Sequence, residues 1–571
     1  MKRNLLLTAL LVVTAVTTAL IAQAPTFVPV TDKMLANPSP DDWLMYSRTY
    51  DAQRYSPLKE INGQNVGQLK QAFVHELGNG NIEGIPIVYR GVLYVIAPGA
   101  AVRAINATNG NLIWEHKRTG GASRAKTLAI FEDMVYYTSP DGFIVALDAV
   151  TGKVRWETKT TGGTTAGPIV VEGKVLTGRT CAGQQANCYI AAHDARTGKE
   201  VWKFFTAAAA GEPGGDTWGD APSDKRVAST WGLPGGYDPV RRLIYWGIAN
   251  PTPNTRADRH GGNIDAISRT APSDLYSNST VALNPDTGKL AWYYQHLPGD
   301  DWDEDFPHER TLFRTRVNPD PKFVKWINPD IPRGQQRDVA ITVGEPGGIW
   351  ALDRATGQFL WATHFPFEVS NFVISDIDVK TGRTHLNWDI TFDQPGEHHI
   401  ICYWNTRSYW PLAYHPGQNS MYIPWVDNCL DMTSAAPGAP ERRVGIPRPG
   451  SNPEEFAGLA KVNMETGEIK HLYKGRAPGN GAVLATAGDL VFWGDLDQKF
   501  RAFDAGSGKI LWEQTLGGTI QNSTITYAVN GKQYVAVITG EGLLTAGLIE
   551  QAKLNPKRRY NALYVFALPE K

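Results

Sequence analysis

The chain has 571 residues and a formal net charge of −1, with 42% hydrophobic and 20% charged residues. That near-neutral balance leaves no electrostatic footprint for a nucleic acid, and the length allows a large core. Glycine (57), proline (37), tryptophan (18) and tyrosine (22) are abundant beside 7 methionines, a profile of short strands, tight turns and aromatic packing.

In chain order, MKRNLLLTALLVVTAVTTALIAQAP comes first: Lys2 and Arg3 precede an apolar run that ends in small residues at Ala22 and Ala24. This is the pattern of a secretory signal peptide over residues 1–24. The alternative, a membrane anchor, is disfavoured by the cleavage-like ending, and no other long apolar segment follows. Residues 25–571 are expected to be one exported domain, without a linker.

A short unit then recurs: AINATNGNLIW (104–114), ALDAVTGKVRW (146–156), AHDARTGKEVW (192–202), ALNPDTGKLAW (282–292), ALDRATGQFLW (351–361) and AFDAGSGKILW (502–512). KVNMETGEIKH (461–471) lacks the tryptophan, and DIDVKTGRTHL (376–386) is a weak match that can be a plain hairpin. In each unit an alternating segment ends one strand, a glycine able to take φ > 0 makes the turn, and the next strand carries the tryptophan. Such repetition implies an all-β fold: an eight-bladed β-propeller whose tryptophans dock between neighbouring sheets. Uneven spacing, above all between Trp202 and Ala282, marks insertions that should build a site on one face.

One insertion holds LPGDDWDEDFPHE (297–309), where five of the six residues Asp300–Asp305 are acidic. Like charges this dense need a cation, a proton or open water nearby. The stretch is either a solvated loop or the acidic side of a metal and proton-transfer site. Four cysteines in an exported chain allow three pairings, and the short separations favour Cys181 with Cys188 and Cys402 with Cys429. No C-x-x-C-H haem attachment motif is present. His398 and His399 are neighbours on a strand and point to opposite faces, so they cannot share a metal.

The A-x-D-x-x-T-G-x-x-x-W repeat, the leader and several site motifs together resemble the pyrroloquinoline quinone (PQQ) dependent alcohol dehydrogenases, from about Asp41 to the C-terminal YVFALP. The T-C-x6-C spacing is most similar to haem-free sorbose/sorbosone-type and broad-specificity members. The resemblance implies a periplasmic enzyme that oxidises primary or secondary alcohols, extending to sugars, polyols or aldehydes. Electrons would pass to a cytochrome c or a quinone. Asp303 follows the tryptophan as the family's catalytic aspartate does. It would take the substrate's hydroxyl proton while hydride passes to PQQ, with a cation as Lewis acid. Trp231 in STWGLPGGYDP matches the tryptophan stacked on PQQ. Asn250 in WGIANPTP matches an amide metal ligand. Glu83, Thr165, Ser229 and Lys126 (or Arg124) fall at cofactor-contact positions.

This sequence departs from the family pattern at three places. The adjacent Cys-Cys pair is missing. The metal-binding glutamate is absent, since no acid occurs from Gly178 to Tyr189. Glu345 stands where the family carries Arg or Lys. Asp305 resembles an extra ligand of lanthanide-dependent members, although calcium remains the expected cation, held by Asn250, Asp303 and Asp305. A non-catalytic propeller scaffold of the cell envelope is the competing reading, and it needs none of these site residues.

Overall fold

Each repeat unit folds as an antiparallel hairpin in which its first alanine faces its tryptophan: Ala104–Trp114, Ala146–Trp156, Ala192–Trp202, Ala282–Trp292, Ala351–Trp361 and Ala502–Trp512. Pairing a small residue with a large one frees the indole to lean out of its own sheet. Trp114 Nε1 donates to Ala149 O at 3.1 Å, Trp156 to Ala195 O at 3.0 Å and Trp202 to Pro285 O at 2.9 Å, in each case reaching the following repeat. The turn glycine of that repeat is the landing surface. A Cβ on Gly152 would lie 2.5 Å from Trp114, and Gly152 also has φ = 70°, so both packing and conformation demand glycine there.

The computed structural model describes residues 27–570 apart from 119–123, 182–187, 267, 269 and 558–559. The signal peptide expected over residues 1–24 lies outside the described residues. Among the described residues the chain is nearly all β. Its strands form eight largely antiparallel sheets of four or five strands, with three smaller sheets between them. Strand Lys70–Glu76 pairs with Ala562–Ala567, so the start of the fold completes its last sheet. Tyr55–Ser56 adds a parallel edge to Leu484–Thr486. The weak match at 376–386 is only a two-stranded hairpin, Ile374–Ile377 with Thr384–Leu386. No described helix is long and apolar enough to cross a membrane.

In a four-stranded antiparallel sheet, the entry to the first strand and the link from second to third strand lie at one end. The link from third to fourth strand lies at the other. The repeat turns are third-to-fourth links. The long insertions lead into first strands or join second to third, so they gather at the opposite end. That end holds the site.

Candidate active site

A cavity of about 300 Å³ opens among these insertions, lined by Arg124, Lys126, Thr165, Thr180, Trp231, Asp303, Asp305, Glu345, Trp404, Asn405, Leu543 and Leu544. Five of the expected residues therefore line one cavity: Lys126, Thr165, Trp231, Asp303 and Asp305. Glu83 lies behind it, where its buried carboxylate pairs with Lys126 Nζ at 3.0 Å. Lys126 Nζ in turn stands 5.4 Å from the Trp231 ring and 4.8 Å from that of Tyr409. Trp231 meets His308 and Tyr409 edge-on at 5.5 and 6.1 Å.

The acidic loop divides into two groups. Asp300 and Asp301 point inward, fully buried. Asp300 accepts from Trp302 N at 2.6 Å, Glu304 N at 2.8 Å and Asn278 Nδ2 at 3.0 Å. Asp301 accepts from Arg256 N at 2.7 Å and Phe392 N at 3.0 Å, and it pairs with Arg256 Nε at 2.8 Å. Buried donors thus hold the loop from below. Asp303 sits above them at φ = 66°, a conformation aspartate tolerates better than most residues. Asn250 Nδ2 donates to its Oδ1 at 2.9 Å, and Arg443 Nη2 pairs with its Oδ2 at 3.0 Å. Asp305 accepts from Asn250 N at 2.7 Å and Trp231 Nε1 at 2.6 Å.

Electrostatics follow from this packing. Burial first, and then the Asp303 charge, push the Asp305 carboxyl well above its usual range. Burial and the Asp305 charge do the same to Glu345, whose Oε1 accepts from the Ser408 hydroxyl and lies 3.3 Å from His308 Nε2. Glu304 is buried with neither carboxylate oxygen hydrogen-bonded, and burial followed by the Glu345 charge raises it strongly. Excess buried acid of this kind is what a cation relieves.

Glu83, Ser229 and Asn250 are not among the residues that line the cavity, and the Ser229 hydroxyl donates to Arg179 O at 3.3 Å. Thr165 gives its one hydroxyl hydrogen to Trp231 O at 2.7 Å, so Thr180 donates in their 2.8 Å contact and Thr165 has no hydrogen to offer a ligand. The disulfides Cys181–Cys188 and Cys402–Cys429 are both formed. The second joins directly opposed residues of His398–Cys402 and Asn428–Thr433. Sequence reasoning missed Arg443, Trp404, Tyr409 and Leu543. Tyr409 and Trp404 stand in CYWNTRSYW, an aromatic run that was a usable signal; Arg443 had none.

Against family models, the chain matches the glucose/ethanol/alcohol dehydrogenase β-propeller domain over residues 159–365 and 456–535. A model for the outer membrane protein assembly factor BamB matches residues 69–221. The quinohemoprotein alcohol dehydrogenase ADH-IIG of Pseudomonas putida is 31% identical, over 94% of this chain and 77% of its own length. An alcohol dehydrogenase (quinone) dehydrogenase subunit of Gluconobacter oxydans is 30% identical over 88% of this chain and 71% of its own. Among solved structures, ADH-IIG superposes with a TM-score of 0.81 at 28% identity, covering 95% of this chain and 84% of that one. A europium-containing methanol dehydrogenase gives 0.78 at 26%, covering 94% and 100%. The chain belongs to the PQQ-dependent alcohol dehydrogenase family of β-propellers.

Proposed function

We infer that this protein is a periplasmic PQQ-dependent dehydrogenase that oxidises primary and secondary alcohols, with sugars, polyols and aldehydes as its wider substrate range. The observation that carries the reading is one cavity that unites Trp231, the cations Arg124 and Lys126, and Asp303 held by Asn250. The eight sheets are read as the blades of a single propeller domain, with the repeat tryptophans docked between them.

The residues suit the cofactor. A flat tricarboxylate fits beside an indole with two cations at hand. The donor set of Asn250, Asp303 and Asp305 is all oxygen, as a hard cation requires, with calcium the expected ion. Among the described residues no group of three His, Cys, Asp or Glu side chains forms a metal cage of its own. The cation would therefore be held jointly by these side chains and the cofactor. Bound PQQ supplies the two-electron acceptor, and its cation polarises it. Asp303, with 40% of its side chain exposed, receives the hydroxyl proton of the alcohol. Trp404, Leu543 and Leu544 line the same cavity and shed water from the reacting bond. Electrons would leave to a cytochrome c or a quinone.

The test is dye reduction by the mature protein given PQQ with calcium or with lanthanum, over an alcohol panel. Asp303→Asn should lower kcat by about 10²–10⁴-fold while PQQ still binds. A mutant as active as the wild type would remove Asp303 from the chemistry. Absent PQQ binding would return the protein to a scaffold.

A further inference from the structure

Arg443 belongs to no motif, yet it touches the central acid of the site. It lies on strand Arg442–Pro447, the outer member of a three-stranded sheet with His398–Cys402 and Asn428–Thr433. Its Nη2 bridges Asp303 Oδ2 at 3.0 Å and Trp302 O at 2.9 Å. Its guanidinium lies 5.7 Å from the Trp404 ring, and Nη1 stands 4.0 Å from Glu441. Among the described residues, Arg443 is the only Arg or Lys within ion-pair reach of the acids at 300, 303, 304, 305 and 345. The neighbouring Arg442 faces the other way and pairs with Asp431 at 2.8 Å on the exposed side.

We propose that Arg443 is the positioning residue of Asp303. One guanidinium ties the carboxylate to the carbonyl of the preceding residue, which locks the left-handed backbone of Asp303. With Asn250 on the other oxygen, the acid is clamped from two sides, and its orientation toward the substrate hydroxyl is set before binding. Both contacts come from Nη2, and the planar guanidinium fixes the direction of its two N–H groups, which a rotating ammonium on a flexible stem does not. The disulfide Cys402–Cys429 braces the sheet that carries it. This inference rests on the proposed function.

The experiment compares wild type, Arg443→Ala, Arg443→Lys and Arg442→Ala, each loaded with PQQ and the metal that activates the wild type. Arg443→Ala should lose about 10- to 100-fold in kcat, as misplacement by an ångström does. Its KM should stay within about 3-fold, because the loss is in the reacting geometry. Added guanidinium chloride should restore part of that rate, and the lysine variant should fall between. In the cofactor-free protein, carbodiimide labelling of Asp303, read by peptide mass spectrometry, should rise in Arg443→Ala alone. Overturning results are a kcat within about 2-fold of wild type, or an equal loss in Arg442→Ala with no guanidinium response. An inactive wild type overturns the proposed function and this inference together. An active wild type with an indifferent Arg443→Ala overturns only this one.

Discussion

Aspartate is used in two opposite ways at the two ends of the sheets. At the turn end, Asp148, Asp194 and Asp353 each accept from the hydroxyl and N–H of a threonine three residues on, a local cap repeated around the fold. Partial burial opposes the charge on Asp148, but the Thr151 hydroxyl and the N–H groups of Thr151 and Val150 outweigh it and hold the carboxyl below its usual range. At the site end Asp300, Asp301, Glu304 and Asp305 are buried, Asp303 is partly exposed, and decisive partners come from far along the chain: Arg256 for Asp301, Asn250 and Arg443 for Asp303. Burial there pushes Asp300 up to about 7. The turn end uses its carboxylates in bonds that close within three residues, while the site end sets them among partners from separate insertions.

Three measurements on cofactor-free protein sharpen or break that contrast. The largest effect is expected for Asp301→Ala, which strands the buried Arg256 guanidinium. Its unfolding free energy in urea should fall by about 3–5 kcal/mol. A loss under about 1 kcal/mol, as at an exposed pair, would erase the distinction. Next comes Asp300→Asn. A carboxyl raised in the fold stays protonated there after the unfolded chain has ionised, so Asp300 makes stability fall as pH rises from about 4 to about 7. The asparagine variant should lack that component of the slope, and its stability relative to wild type should improve across the same window. An unchanged difference across the window would show Asp300 ionised throughout. The smallest effect is Asp148→Ala, which should cost about 0.5–1.5 kcal/mol for its local bonds. A cost above about 3 kcal/mol would mean the turn end is as interdependent as the site.

The same contrast explains what could be read from the sequence. The hairpins were legible because their logic closes within eleven residues: strand, glycine turn, tryptophan. The repeated Asp or Asn also caps the turn, a role that strand alternation alone does not reveal. The site was legible where a motif carries its own neighbours, as around Trp302 and Asp303. It was illegible where partners converge from separate insertions. Arg443 is 141 residues from Trp302, and nothing in GAPERRVGIP separates it from Arg442, which faces solvent. Ser229 shows the limit of a motif from the other side: the motif gives its position along the chain, not that its hydroxyl donates to Arg179 O.

The last sheet borrows its outer strand from the opening of the fold, and Asn561 Nδ2 reaches Gly78 O across 483 positions of sequence at 2.8 Å. Contacts that distant form late, since a long loop must close before they gain anything. Until Ala562–Ala567 arrives, Lys70–Glu76 has no partner and the ring stays open, with strand edges able to recruit another copy. Closure is thus a checkpoint on assembly: a chain interrupted near its end would hold most of its sheets and still be a template for aggregation.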